Sequence, residues 1–325
     1  MTSPLYFAYG SNLNRHNLEV WAEELKMPLG RMTPAGRAWL PDHRLAFSLH
    51  SARRQGGVLD VQPQIGQVVP GLLFHMDDIA WAAIDRKEGS NDQGTGGYER
   101  VLAMVIDEAG RLVTARTYKV NPAKRQTFVK PHPRYVEVVL QGYEEHGLDE
   151  HLAAKSASSI LARVAEGGEA ENLIRELFIY GTLMEGECRR GFLDEVGFTP
   201  LGKAQARGRL VDLGTFPALV LPVQDPAVHE ASSSPVPGEL VHISNAAKAW
   251  PVLDDVEDFP GYEAVRQGQT AMYHRTLVPV EQTATSSGNR AIECRLAWTY
   301  ALANQALPQS LIPSNSWREH TGRFV

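Results

Sequence analysis

One feature limits the folds open to this chain more than any other: it repeats itself once, at a distance too long for a solenoid. Leu5-Tyr6-Phe7-Ala8-Tyr9-Gly10-Ser11-Asn12-Leu13 near the start matches Leu177-Phe178-Ile179-Tyr180-Gly181-Thr182-Leu183. Each is an apolar run, then Tyr-Gly, then a small hydroxyl residue, with the tyrosines 171 positions apart (180 − 9 = 171). Ile84-Asp85-Arg86-Lys87-Glu88-Gly89 followed by Gly97-Tyr98-Glu99-Arg100-Val101 matches Leu253-Asp254-Asp255-Val256-Glu257-Asp258 followed by Gly261-Tyr262-Glu263-Ala264-Val265, with the glutamates 169 apart (257 − 88 = 169). A third pair, around Tyr118 and Tyr300, is 182 apart (300 − 118 = 182). Three matches in one order make each copy a whole domain rather than a solenoid repeat. The later copy must have gained residues between Glu257 and Tyr300, and the Ser/Thr/Gly-rich stretch Thr283 to Asn289 reads as that extra loop.

At 325 residues the chain has the length for two such domains. The boundary falls near residue 172, after the Glu166-Gly167-Gly168-Glu169 string, which reads as a flexible hinge. This gives domains 1–172 and 173–325.

Short apolar runs ended by Gly read as buried strands, here Leu5 to Tyr9 and Leu177 to Tyr180. Gly71 to Met76 and Gly238 to Ile243 read as equivalent strands. Each precedes a helix, Asp77 to Lys87 or Asn245 to Val256, that ends at the matched glutamate. Asn12 or Asn14 is placed to cap a helix over Arg15 to Leu25. Val101 to Ile106 and Arg111 to Tyr118 form a hairpin. Pro133 to His146 and Leu152 to Ala165 are helical, and Ser232 to Pro237 is a loop within the later copy.

Composition narrows the function classes. A net charge of −6 with only short basic runs argues against nucleic acid. No stretch near 18 apolar residues argues against a membrane span. Two cysteines, Cys188 and Cys294, encode neither a disulfide framework nor a zinc site. With no signal peptide at the N-terminus, a reducing cytoplasm is the simplest compartment. The histidines lack metal-ligand spacing, and no GxSxG, Walker loop or GxGxxG is present.

Two strings carry chemistry. A strand that ends in Gly and turns into a helix points several backbone N–H groups at one spot, an anion or oxyanion cradle. Alone it reads equally as a tight turn. Glu88 ends an apolar helix, where a desolvated carboxyl can move protons near neutral pH. Its recurrence as Glu257 separates it from an ordinary helix-terminal surface glutamate. Tyr98, Tyr118, Tyr262 and Tyr300 follow on strands, as hydrogen-bond donors to a substrate or as core packing.

Tyr9-Gly10-Ser11-Asn12-Leu13 with Asp85-x-x-Glu88-Gly89, Tyr98 and Lys130-Pro131-His132-Pro133-x-Tyr135 resembles the gamma-glutamylcyclotransferase family. Tyr180-Gly181-Thr182-Leu183 with Leu253-Asp254-x-x-Glu257 is similar to its AIG2-like, gamma-glutamylamine cyclotransferase branch. The resemblance implies an α+β chain of two tandem small mixed β-barrels with flanking helices. It further implies a lyase or acyltransferase that needs no cofactor or metal and acts on a small gamma-glutamyl substrate. Glu88 and Glu257 become general acid/bases for cyclisation to 5-oxoproline. Tyr9, Gly10, Ser11, Asn12 and Leu13, with Tyr180, Gly181, Thr182 and Leu183, become the glutamyl cradle, flanked by Tyr98, Tyr118, Tyr262 and Tyr300. Asp258 and Ala264 depart from the first copy, where Gly89 and Arg100 stand. The Gly94-Thr95-Gly96-Gly97 loop is placed to shape the leaving-group side. A non-catalytic ligand-binding protein, or an enzyme that removes a gamma-glutamyl group from a natural-product intermediate, are the alternatives. The leaving amine, the division of labour and the oligomeric state are not encoded legibly.

Overall fold

The computed structural model describes residues 4–90, 95–150, 156–222, 234–286, 289–303 and 310–322. The chain divides into two compact units, one ending at Leu173 and one starting at Ile174.

The first unit begins with β1 (Leu5–Ala8), α1 (Arg15–Glu24) and the long hairpin of β2 (Met32–Ser51) and β3 (Gly56–Met76). It continues through α2 (Asp78–Glu88), β4 (Tyr98–Asp107), β5 (Leu112–Val120), α3 (Pro133–Glu145) and α4 (Ala157–Ala165). The five strands close into a barrel in the order β1-β3-β2-β4-β5. The seam is the parallel pair β1–β5, with Leu5 opposite Ala115. Phe7, Leu73, Val105 and Ala115 share one face of the sheet and are all buried, as the alternation of a closed barrel requires.

The second unit comprises β6 (Glu176–Ile179), α5 (Arg190–Val196), β7 (Phe198–Asp212), β8 (Pro217–Val220), β9 (Ser234–Ile243), α6 (Ala246–Val256), α7 (Tyr262–Arg266), β10 (Tyr273–Ser286), β11 (Asn289–Leu302), β12 (Ser310–Leu311) and α8 (Trp317–Thr321). Its strands run β10-β11-β6-β9-β7, and the pairing of Val280 with Ala206 closes β10 back onto β7. The parallel seam recurs as Trp298 opposite Leu177. Both units are therefore closed five-strand mixed barrels with helices, an α+β architecture.

The repeat extends to individual hydrogen bonds. Tyr9 Oη donates to the Tyr118 carbonyl at 2.7 Å, and Tyr180 Oη to that of Tyr300 at 2.7 Å. Thr117 and Thr299 donate to the carbonyls of Phe7 and Phe178. Gly71 and Gly238 sit where a Cβ would fall 2.3 Å from the Ala8 oxygen and 2.2 Å from the Ile179 oxygen, so no larger residue fits either contact.

Several sequence expectations need correction. The extra residues of the later copy do not form a loop at 283–289. Residues 283–286 continue β10, opposite 289–292 of β11, and only 287 and 288 lie outside the described residues. Ser234 to Pro237 belong to β9, paired with β7, whereas 232 and 233 lie outside the described residues. The Glu166-Gly167-Gly168-Glu169 string is a helix end rather than a free hinge: Gly167 N–H and Gly168 N–H donate to the carbonyls of Val164 and Arg163, and Arg163 pairs with Glu171. Helix α4 is described from Ala157, and residues 152–155 of the expected helix lie outside the described residues. Among the described residues, no helix is long and apolar enough to cross a membrane.

Candidate active site

In each unit, the Tyr-Gly turn after the first strand and the glutamate at the end of a helix meet in one cavity. In the first unit, residues Ser11–Leu13 form a single 3-10 turn, with Leu13 N–H bonded to the Gly10 carbonyl at 3.0 Å. Such a turn leaves the amides of Ser11 and Asn12 without an acceptor inside it. Helix α2 starts on the Asp77 side chain and stops at Glu88 because Gly89 takes the left-handed conformation (φ 63). That stop delivers Glu88 to the turn: its Oε1 accepts from Asn12 Nδ2 at 2.8 Å.

Asn12 is the hub of the arrangement. Its Nδ2 also lies 2.7 Å from the Tyr6 hydroxyl, and its Oδ1 accepts from Lys87 Nζ at 2.6 Å. Lys87 Nζ also donates to Ser11 Oγ at 3.3 Å and stands 3.8 Å from Glu88 Oε1. The Lys87 side chain is 9% exposed and that of Glu88 14%. Burial pulls the Lys87 ammonium down to about 8. Tyr6, Tyr9, Tyr98 and Tyr135 line the same cavity, of about 300 Å³, and burial raises the pKa of every one of them, Tyr135 to about 12. They are neutral hydroxyls at any working pH.

In the second unit, Gly181 begins the corresponding turn, with Met184 N–H bonded to its carbonyl at 3.0 Å. Glu257 lies in a cavity of about 360 Å³ with Tyr180, Gly181, Thr182, Leu183, Tyr273 and Tyr300. Asp258 replaces Gly89 but keeps the left-handed backbone (φ 51), a conformation that Asp tolerates better than most residues. The closing hydrogen bonds also recur. Ser90 N–H bonds the Asp85 carbonyl at 2.9 Å, and Phe259 N–H bonds that of Asp254 at 2.8 Å. Glu257 is 8% exposed, and burial pushes its carboxyl up to about 7, against the pull of Arg189.

The structure corrects one site assignment and its alignment. Tyr262 is on helix α7, not a strand. Gly261 (φ 96) starts that five-residue helix, which turns the ring inward against Phe259, and the hydroxyl donates to the Arg275 carbonyl at 2.8 Å. It does not line the cavity; Tyr273 does. Tyr98 Oη donates to the Leu59 carbonyl at 2.5 Å, and Tyr273 Oη to that of Pro217 at 2.8 Å. Arg100 sits opposite Tyr118 in the ladder, as Arg275 sits opposite Tyr300. The counterpart of Arg100 is therefore Arg275, not Ala264. Arg100 pairs with Asp85 at 2.7 Å over the Trp81 ring, and Arg275 approaches Asp254 at 3.6 Å over the Trp250 ring. The added residues split into 6 between glutamate and tyrosine, (273 − 257) − (98 − 88), and 7 in the hairpin, (300 − 273) − (118 − 98).

Tyr118 and Tyr300 border their cavities, but their hydroxyls are held by Asp85 at 2.7 Å and Asp254 at 2.6 Å. Leu13 is packed in the core, 1% exposed, and does not line the first cavity. Gly97 borders a larger adjoining space, whereas Gly94 lies outside the described residues. Sequence reasoning missed Lys87, Tyr6 and Tyr135 in the first site, and Arg189, Phe216 and Tyr273 in the second. Lys87 was signalled only by its position next to Glu88. Among the described residues no group of three or more His, Cys, Asp or Glu is arranged to hold a metal ion.

Residues 177–319 match the gamma-glutamyl cyclotransferase, AIG2-like family, and residues 68–154 match the AIG2-like family. The chain matches no curated protein sequence. Among solved structures, it is similar to an uncharacterised human protein (25% identity, 46% of this chain and 83% of the other, TM-score 0.39). It is also similar to a gamma-glutamyl cyclotransferase (23%, 51% and 99%, TM-score 0.39). YkqA of Bacillus subtilis is 14% identical across 93% of this chain and 84% of its own, with a TM-score of 0.31.

Proposed function

Because the chain carries two AIG2-like segments in tandem and belongs to the gamma-glutamyl cyclotransferase-like superfamily, we propose that it releases 5-oxoproline from gamma-glutamyl amides, with one active site in each unit. The observation that carries this reading is the Glu88 carboxylate held against the Gly10 turn by Asn12, and the recurrence of a buried glutamate beside the Gly181 turn.

The chemistry follows from what those groups can do. The glutamyl moiety lies on the turn, with its gamma-carbonyl oxygen directed at the turn amides. Glu88 takes a proton from the alpha-ammonium group. The freed amine attacks the gamma-carbonyl carbon, closing a five-membered ring, and the oxygen takes the negative charge against N–H donors. Collapse of that intermediate breaks the bond to the leaving amine, which takes its proton from Glu88. The ring nitrogen then gives its second excess proton to the Glu88 carboxylate, which passes it on to the departing amine. The lactam N–H and an ammonium leave, and Glu88 is a carboxylate again. Nucleophile and carbonyl belong to one molecule, so holding the extended chain in a ring-closing conformation supplies much of the acceleration. Asn12 and Lys87 fix the carboxylate that moves the proton. In the second unit Glu257 performs the same transfers with Leu183 and Val256 in the places of Asn12 and Lys87. A carboxyl that titrates near 7 both accepts and returns protons at neutral pH.

The test is 5-oxoproline release from a panel of gamma-glutamyl amino acids, glutathione and gamma-glutamyl amines. Glu88→Gln should lower release from the first site by about 10²–10⁴-fold, Glu257→Gln should do so for the second, and the double variant should release none. Substrate affinity without release by the unaltered chain would instead mark a ligand-binding protein.

A further inference from the structure

The cavity at Glu88 opens into a larger space of about 970 Å³ that shares Ser11, Glu88, Tyr98 and Tyr135 with it. Arg53, Arg54, Arg86, Lys87, Lys124 and His50 border that space, and Glu88 is the single carboxylate among the described residues that do. Arg53 is paired with Glu24, and Lys124 donates to the Thr95 carbonyl. Arg54 donates to Asn17 Oδ1 at 3.1 Å, and its guanidinium lies 5.3 Å over the Tyr135 ring. Neither neighbour neutralises it. Among the described residues, no carboxylate lies within 4 Å of the Arg54 or Arg86 guanidinium. Counting Glu24 and Glu88 against the five cationic side chains leaves a surplus of three positive charges, in a chain whose net charge is −6.

This concentration faces one part of the substrate. With the glutamyl group on the Gly10 turn and its carbonyl at Glu88, the leaving amine projects past Tyr98 and Tyr135 into the basic space. Two separate guanidinium groups without carboxylate partners suit two anionic groups, since a guanidinium binds carboxylate and phosphate alike through paired N–H donors. Among the described residues that line it, the second unit's cavity offers no such surroundings. It is walled by Phe178, Ile179 and Phe216 and has one cation, Arg189.

Resting on the cyclotransferase reading of the site, we propose that the first unit acts on gamma-glutamyl conjugates whose leaving amine carries two or more negative charges, as carboxylates or phosphate. The two sites then divide the substrates by the charge of the leaving group.

The experiment uses the full chain with Glu257→Gln, so that the first site alone turns over. The kcat/KM for 5-oxoproline release is measured for conjugates of alanine amide, alanine, aspartate, phosphoserine and lysine amide. The aspartate and phosphoserine conjugates should exceed alanine amide by at least tenfold, and their ratio to each other identifies carboxylate or phosphate as the preferred anion. The preference should shrink as ionic strength rises. Arg54→Gln with Arg86→Gln should bring the ratio close to one, and Arg54→Glu with Arg86→Glu should turn it towards lysine amide. The ratio is taken within each variant, so a general loss of folding divides out. Release without charge preference, or with a cationic preference in the parent, overturns this inference and leaves the cyclotransferase reading standing. Release from no conjugate overturns both.

Discussion

Replacing Glu257 with glutamine should stabilise the second unit, and only at neutral and alkaline pH. The carboxyl is 8% exposed, and among the described residues no cation lies within 4 Å of it. Burial holds its pKa at about 7, against the ordinary 4.5. The sign follows from proton counting. Below 4.5 the group is protonated in the folded and unfolded chain alike and contributes nothing. Between 4.5 and 7 the unfolded chain ionises while the folded one keeps its proton, so stability falls with rising pH; above 7 the loss is complete. At about 1.4 kcal/mol per pH unit the loss reaches about 3 kcal/mol. Glutamine has the same shape and no charge, so Glu257→Gln should recover about that amount at pH 8.5 and almost none at pH 4.5. For a unit of this size, roughly 2–4 °C per kcal/mol predicts a rise of roughly 6–12 °C at pH 8.5. Scanning calorimetry at the two pH values measures it, with the transition of the second unit identified by its shift in Gly238→Ala. An unchanged or lowered transition at pH 8.5, or an equal shift at both pH values, would refute the claim that an unpaired buried carboxylate is strained there.

Lys87→Met should lower kcat at the first site by about 10–100-fold. Because the ammonium titrates at about 8, the parent's rate should fall above that pH, and this limb should vanish from the pH profile of the variant. Gly71→Ala and Gly238→Ala should each destabilise their own unit by about 2–4 kcal/mol, since the added methyl would meet a backbone oxygen at 2.3 or 2.2 Å; separate calorimetric transitions would show it. Arg125→Met strands the fully buried Asp60, which accepts from Arg125 Nε at 3.0 Å, and should cost about 3–5 kcal/mol in urea unfolding of the first unit. Adding Asp60→Asn should restore part of it.

The two barrels were legible because short strings at strand ends recur in order, and strand ends are where Gly-dependent turns leave the strongest trace. Glu88 and Glu257 were legible for a related reason: a helix stop needs a left-handed residue, and the stop sits beside the carboxyl. The tyrosine partner of Glu257 was misread. Gly261-Tyr262-Glu263 copies the letters of Gly97-Tyr98-Glu99, yet ladder register, which spacing alone cannot reveal, places Tyr273 and Arg275 there. Asn12 as a hub was visible only as one letter of a turn, because its partners Tyr6 and Glu88 are 6 and 76 residues away. Tyr135 reaches Leu59 N–H from a helix 76 residues distant, a contact that no local pattern predicts.

The parallel seams have a consequence for biosynthesis. Leu5 emerges from the ribosome first, yet its lateral neighbour Ala115 is made more than a hundred residues later, and Leu177 waits in the same way for Trp298. High contact order of this kind slows folding. Until each ring closes, the nascent strand shows an apolar face and an open edge, the form in which chains pair with the wrong partner. Two closures in series make two such intervals, so the yield of this protein should depend on translation speed and chaperone supply more than its finished stability would suggest.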